Sequence, residues 1–409
     1  MNFIKPWKKK LRVENISALS LAKKFKTPFY CYSLAQLKNN FYSFNQIFRS
    51  TKPIICFSVK SNSNITLLRE LKKMGSGADV VSAGELLKVI KAGIKTSKIV
   101  FSGVGKSEDE IKMAIKKKIL LINVESESEA RLINKVSKKM NMTTAVGLRL
   151  NPNIVGKTHK KISTGGKGDK FGLSYKDCIN FCKKIKNFKN LKLDALSVHI
   201  GSQITNIKPF KEVLSIINNL INETKINFKF IDLGGGMGIA YSSGEKKLNL
   251  NLYAELINKF VENKKVKIIF EPGRFIVANT SILISKVIYI KKSNNKNFII
   301  LDAGMNDLMR PALYDAYHEI IPLTKSNKKI TGNIEFVGPI CESSDKFLKQ
   351  KNFSKIKEGD YVAVTNVGAY GMSLSSNYNT RPIIAEIMVS GSKHKLIKKR
   401  QSLESLINN

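Results

Sequence analysis

The sequence predicts an α/β fold: a closed (β/α)8 barrel of the TIM type over residues 28–278, with residues 1–27 and 279–409 forming a second, antiparallel β domain. Three observations predict it. At 409 residues the chain exceeds the usual size of one hydrophobic core. Eight short apolar runs alternate with amphipathic stretches over about 250 residues, which is the pattern of a barrel. Beyond Ala278 the texture changes to apolar runs separated by Asn, Gly, Ser and Lys, with little helix between them.

In chain order, a basic leader over 1–12 precedes a short helical stretch at 17–25. Barrel strands are predicted at 54–60, 77–81, 98–101, 119–124, 145–150, 194–199, 229–233 and 266–271, where the apolar runs fall. The segments between them, such as 107–118 and 126–139, carry helical periodicity with charged outer faces. An open doubly wound sheet gives the same alternation and is the competing architecture. In the second domain the runs at 281–291, 297–301, 333–337, 360–366 and 383–390 predict strands, and the Lys-rich tail after Ser390 is expected to fray.

Hydrophobic residues make up 43% of the chain, enough for sizeable cores. The net charge of +39 comes mainly from lysines dispersed along the whole length. A nucleic-acid-binding chain concentrates Arg and aromatic residues on one element, so no specific nucleic-acid partner is expected. The field favours anionic ligands instead. Five cysteines are too few and too scattered for a disulfide framework. Cys178 and Cys182, four apart on a predicted helix, lack the second pair that a metal site needs. With no signal core and no apolar run of membrane length, the expectation is a cytoplasmic protein with no membrane partner and no metal.

Chemistry is suggested first by Pro53-Ile-Ile-Cys-Phe-Ser-Val-Lys60-Ser-Asn-Ser-Asn64. A buried run ends in one lysine and breaks into small polar residues, which puts an ammonium at the C-terminal end of a strand, where barrels keep their active sites. Such a lysine can lose its proton and form an imine with an aldehyde; alone, it would be one more lysine reaching solvent. The stretch Ile231-Asp-Leu-Gly234-Gly235-Gly236-Met-Gly238 either lets backbone amides approach a phosphate or is a plain tight turn. In Val198-His199-Ile-Gly201-Ser202, His199 is placed to stack on a flat ring and Ser202 to bond a phosphate; the alternative is a structural histidine. Phe270-Glu271-Pro272-Gly273-Arg274 sets a carboxylate and a guanidinium at the last strand end. They either pair with each other or serve a pyridine nitrogen and an anionic group separately. The β-rich half adds Arg310 and Tyr314, Cys341 beside Glu342, and Tyr370 between small residues. A thiol in this company serves as a proton donor, where a lone one would be an ordinary buried cysteine.

Taken in register, from about Phe29 to Val389, these segments resemble the fold-type III pyridoxal phosphate (PLP) decarboxylases, on the branch that acts on meso-diaminopimelate. The likeness extends through Arg149-Leu-Asn-Pro152, Lys157-Thr-His159, Ile162-Ser-Thr-Gly165 and Lys170-Phe-Gly172. It continues through Asp315-Ala-Tyr-His318-Glu319 and Ser375-Ser-Asn-Tyr378-Asn-Thr-Arg381-Pro382. The resemblance implies that PLP is the cofactor, carried by Lys60 as an imine, with His199 stacked on its ring and Glu271 at its pyridine nitrogen. Ser202, Gly235, Gly236 and the backbone of Glu271, Pro272, Gly273 and Arg274 would hold the phosphate. Arg274, Arg310 and Tyr314 would grip substrate carboxylate, Glu342 the distal ammonium, and Tyr370 both cofactor and substrate. Cys341 would reprotonate the carbon that loses CO2, giving L-lysine. The family shares its active sites across a homodimer, so Cys341 and Glu342 are expected from the second subunit.

Relatives acting on ornithine tend to carry aspartate where this chain has Glu342, and racemases of the same fold put an arginine near the pyridine nitrogen in place of Glu271. Both details favour diaminopimelate. The competing functions are a decarboxylase for ornithine-, arginine- or carboxynorspermidine-type substrates, a PLP carrier without turnover, and a basic RNA-binding protein.

Overall fold

The computed structural model describes residues 3–154, 164–166, 168–242 and 244–408. Lys157-Thr158-His159 and Ile162-Ser163, part of the connecting stretch singled out above, lie outside the described residues. The chain divides into two compact units: a barrel of Phe41–Ile239 and Lys246–Phe275, and a β-rich unit of Met1–Asn40, Ala240–Glu245 and Ile276–Asn409.

Eight parallel strands close the barrel: Ile54–Ser58, Gly77–Val80, Ile99–Phe101, Leu121–Val124, Thr144–Arg149, Leu191–Ser197, Phe230–Asp232 and Lys267–Phe270. The last returns to the first through the pairs Ile269 with Ile54 and Phe270 with Ile55, so the sheet is closed rather than open. Each predicted strand overlaps an observed one. Most of the intervening helices begin where a side chain can satisfy the first unpaired amides; Lys208–Thr224 instead has Pro209 in its first turn. Asn64, Ser82, Ser107, Ser126, Ser174 and Asn249 each accept from a backbone N–H in the first turn, and Ser107 with Glu110 completes a reciprocal capping box.

Residues two apart on a strand face the same side, so the barrel interior reads in layers. Cys56, Val100, Leu121, Ala195 and Ile269 form a fully buried apolar layer. Two residues further along stand Ser58, Ser102, Asn123, Ser197 and Glu271, joined by Asp79 and Asp232, all buried. The barrel is therefore apolar in its middle and polar towards the C-terminal ends of its strands, where this fold places its chemistry.

In the β-rich unit one sheet runs in the spatial order Lys346–Ser354, Lys329–Val337, Lys296–Leu301, Ser281–Ser293, Phe29–Ser33, Ala385–Ser390, Lys393–Lys398. Tyr361–Val364 also pairs with Ser281–Ser293, and Ile320–Pro322 pairs with Tyr361–Val364. The sheet is antiparallel-rich rather than wholly antiparallel, because Lys296–Leu301 runs parallel to Lys329–Val337 and Phe29–Ser33 parallel to Ala385–Ser390. A small three-stranded sheet of Ile4–Trp7, Lys10–Val13 and Ile16–Ser17 precedes the helix Ala18–Lys24.

Two expectations shift here. The barrel begins at Phe41 and ends at Phe275, not at 28 and 278, because Phe29–Ser33 is a central strand of the other sheet. A strand buried on both faces carries an uninterrupted apolar run whichever sheet encloses it, so sequence cannot assign it. The tail does not fray at Ser390: Lys393–Lys398 pairs with Ala385–Ser390, and Leu403–Ile407 is helical. Its lysines are those of an exposed edge strand, where charge discourages pairing with another chain. Among the described residues no helix is long and apolar enough to cross a membrane, and no cluster of three or more His, Cys, Asp or Glu side chains could hold a metal.

Asp307 gives this unit a pH dependence. Its carboxylate accepts from Gly304 N–H at 3.0 Å, yet burial pushes its pKa up to about 7. An unfolded aspartate loses its proton near pH 4. Between about pH 4 and 7 the native state therefore binds the extra proton, and stability falls as pH rises through that window, then levels off. Asp307→Asn keeps an acceptor for Gly304 and removes the ionisation. Relative to wild type, it is expected to gain on the order of 2 kcal/mol more at pH 8 than at pH 5. Thermal melts at the two pH values check this; an equal effect at both would dismiss it.

Candidate active site

The barrel places Lys60, His199, Ser202, Gly235, Gly236, Glu271, Pro272, Gly273 and Arg274 just beyond the C-terminal ends of four strands. Lys60 lies in a short 3-10 turn, Val59–Ser61, directly after Ile54–Ser58. Its Nζ donates to Asp79 Oδ2 at 3.0 Å, and Ser58 Oγ donates to the same oxygen at 2.6 Å. The strand-end ammonium is thus held by a fully buried carboxylate.

Glu271 sits in the polar layer with Asp232, and the two carboxyl groups are hydrogen-bonded to each other. Burial first, then the Asp232 and Asp79 charges, push Glu271 well above the usual carboxylate range. Burial raises Asp232 as well. Asn123 Nδ2 bridges Ser102 Oγ (3.1 Å), Ser197 Oγ (3.2 Å) and Asp232 Oδ2 (3.2 Å) beneath them.

His199 accepts at Nδ1 from Gly235 N–H at 3.1 Å, which leaves the ring proton on Nε2. Burial, then the Lys60 and Arg149 cations, hold its pKa well below the ordinary imidazole value, so the ring is neutral. Arg274 donates from Nε and Nη2 to Ser202 Oγ at 3.2 and 3.0 Å. A side chain at Gly235 would run into the Glu271 carbonyl, and one at Gly236, where φ is +90°, would come within 2.7 Å of Gly201 O. Only glycine leaves this turn's backbone open to a ligand. The Lys170-Phe171-Gly172 motif closes below: Gly172 N–H donates to Glu125, which also pairs with Arg149 at 2.7 Å.

The remaining expected residues lie in the β-rich unit on three stretches. Arg310 and Tyr314 share the helical turn Arg310–Tyr314. Cys341 and Glu342 share an exposed loop whose shape is set by buried Asp345, which accepts from Met305 N–H and Ile340 N–H, both at 2.7 Å. Cys341 N–H donates to Asn379 Oδ1 at 3.0 Å. The Glu342 carboxylate accepts from Tyr378 O–H and from Ser344 Oγ at 2.8 Å, and these two contacts lower its pKa. Tyr370 stands at φ +58°, a backbone conformation a bulky side chain rarely adopts.

Sequence reasoning missed Asp79, Asp232 and Asn123. A signal existed: each is a lone polar residue near the end of an otherwise apolar strand, and across the sheet Asp79 is in register with Ser58 and Asp232 with Ser197.

Pyridoxal phosphate fits this rim on two observations. Asp79 Oδ1 and Asn123 Oδ1 are buried without a hydrogen-bond partner among the described residues, in a layer of three crowded carboxyl groups that a protonated ring nitrogen would relieve. The Gly235–Gly236 turn and Ser202 with Arg274 form an anion cradle a phosphate can enter. Fold and site together define a class, the barrel enzymes that hold pyridoxal phosphate on a strand-end lysine.

The comparisons narrow the class. A family model for the pyridoxal-binding domain of pyridoxal-dependent decarboxylases matches residues 34–278. The chain belongs to that family, on its diaminopimelate decarboxylase branch. It is 41% identical to diaminopimelate decarboxylase from Haemophilus influenzae, over 99% of this chain and 98% of that one. The crystal structure of diaminopimelate decarboxylase from Helicobacter pylori complexed with L-lysine superposes with a TM-score of 0.90 at 41% identity, covering 95% of this chain and 98% of that one. The M. jannaschii enzyme in complex with L-lysine gives 0.93 at 35% identity, covering 99% and 96%. At 18% identity, lysine/ornithine decarboxylase from Vibrio vulnificus shares the fold, with a TM-score of 0.80 over 91% and 97%.

Proposed function

We propose that this chain removes one carboxylate of meso-2,6-diaminopimelate as CO2 to leave L-lysine, the last step of bacterial-type lysine biosynthesis, in the cytoplasm. The observation that carries this is the convergence of Lys60, His199, Ser202 and Glu271 on one barrel rim, in a chain similar over nearly its whole length to diaminopimelate decarboxylases.

Pyridoxal phosphate bound here supplies an electron sink for the pair released when the carbon–carbon bond to CO2 breaks. Lys60 would hold the cofactor through its amine and yield that position to the substrate amine. Ser202, Gly235, Gly236 and the 271–274 backbone would bind the phosphate. His199, neutral and fixed by Gly235 N–H, would pack on the ring without adding a competing charge. Glu271, with its raised affinity for a proton, would hold one at the ring nitrogen. Arg274, Arg310 and Tyr314 would bind substrate carboxylate and Glu342 the distal ammonium, with Tyr370 touching substrate and cofactor. Cys341 would deliver a proton to the carbon that has lost CO2. A homodimer is part of the proposal: the 341–344 loop is exposed on its own chain, which suits a loop that completes the site of a second copy.

The test is lysine formation from meso-diaminopimelate by purified protein with added pyridoxal phosphate. Lysine supports the proposal; bound cofactor without lysine moves the substrate to another diamino acid. Selectivity is tested at Glu342. Removing one member of an ion pair leaves the other unpaired, so Glu342→Gln is expected to raise KM for diaminopimelate by about 100-fold. Tyr378→Phe, which frees one carboxylate oxygen, is expected to raise it about 3- to 10-fold. Unchanged KM in both variants would remove Glu342 from the substrate site.

A further inference from the structure

His318 is fully buried and stands outside the residues that the chemistry uses. Its Nδ1 lies 2.8 Å from the backbone oxygen of Thr365, and its Nε2 lies 2.8 Å from Arg310 Nη1. A carbonyl oxygen only accepts and a guanidinium only donates. The two contacts together therefore fix the tautomer: Nδ1–H donates to Thr365, and the Nε2 lone pair accepts from Arg310. The other tautomer would break both bonds.

Arg310 is held from a second side. Its guanidinium carbon stands 4.8 Å from the centroid of the Tyr241 ring. Tyr241 in turn meets His318 edge-on, with centroids 5.4 Å apart and planes at 81°. The Tyr241 backbone is tied at both ends, its N–H donating to Glu245 (2.8 Å) and its carbonyl accepting from Asn366 Nδ2 (3.4 Å). Arg310 itself is buried, so the long side chain has one position rather than many.

We propose that His318 is a positioning residue for substrate binding. Locked in one tautomer, it holds the Arg310 guanidinium at a single rotation on the face of Tyr241. The planar fork then meets a carboxylate in the orientation a paired contact requires, with the side-chain ordering already done on folding. The proposal rests on the reading of Arg310 as a ligand of substrate carboxylate.

Three variants of the cofactor-loaded enzyme test it. In His318→Gln the amide oxygen reaches the Nε2 position and can still accept from Arg310. In His318→Asn the shorter amide reaches only the Nδ1 position and can serve Thr365 alone. His318→Phe keeps the packing and serves neither. KM for meso-diaminopimelate is expected to rise about 10- to 50-fold in the Asn and Phe variants, with kcat within about threefold of wild type and the Gln variant close to wild type. Thermal melts of all three read the packing cost separately. Wild-type KM in the Asn and Phe variants, or a KM that follows lost melting temperature equally in Gln and Asn, overturns the proposal. Arg310→Lys carried alongside separates the two readings. If it leaves KM unchanged, Arg310 does not bind substrate and both fall together; if it raises KM while the Asn and Phe variants do not, only the positioning role falls.

Discussion

Lys60→Ala is expected to reduce lysine formation on the order of 10⁴-fold or more, because it removes the strand-end amine proposed to hold and release the cofactor. Alanine also strips the buried Asp79 carboxylate of its cation, and part of any loss could then be a loss of fold. Lys60→Arg separates the two effects: it restores a charge beside Asp79 and offers no reactive amine, so it is expected to melt like wild type and remain inactive. Borohydride reduction gives a readout besides turnover. It fixes the cofactor to the Lys60-bearing peptide of the wild type, visible as a mass increment that both variants lack. Activity above a few per cent in Lys60→Arg would remove Lys60 from the chemistry. The same variant examines the proposed sharing of sites between two copies. If the proposed homodimer shares its sites, co-expression with Cys341→Ala gives mixed dimers in which one site has both residues intact, and roughly a quarter of wild-type activity should return by random assortment. No recovery would mean that each chain completes its own site or that no dimer forms.

The second large effect is expected at Glu271. Burial and the charges of Asp232 and Asp79 give this carboxyl an unusual appetite for a proton. A glutamine in its place fills the same space and still hydrogen-bonds, but it cannot hold a proton on a neighbouring ring nitrogen. Glu271→Gln is therefore expected to lower kcat about 10²- to 10⁴-fold with little change in KM, since the loss is confined to the step in which charge develops. Steady-state kinetics of the loaded variant decide it, and a kcat within about threefold of wild type would show that the ring nitrogen needs no acid partner here.

Much of the candidate site was legible because its residues sit where strands end. Lys60, His199, the Gly234–Gly236 run and Glu271 each follow an apolar run, and a barrel puts all such positions on one rim. What lay between those ends was hidden. Asp79, Asn123 and Asp232 look inward from buried strands, and a single polar residue in a four-residue apolar run reads as noise until parallel register aligns it with its counterparts. His318 was legible as part of a motif but not as a partner of Arg310, because Thr365 and Tyr241, which fix it, are distant in sequence. The same limit explains Phe29–Ser33. Its apolar run announces a buried strand, and only its partners, Ser281–Ile284 on one side and Ala385–Val389 on the other, say to which sheet it belongs.

That strand also has a history during synthesis. It leaves the ribosome early, and the second of its two neighbours follows only about 350 residues later, after the whole barrel has been made. At ordinary translation rates this leaves a mostly apolar strand waiting roughly 20–70 s with one edge unpaired. The nascent chain therefore passes through a stage in which a finished barrel trails an unfinished sheet. In that interval the free edge of Phe29–Ser33 is open to a chaperone, or to the same strand on a neighbouring chain.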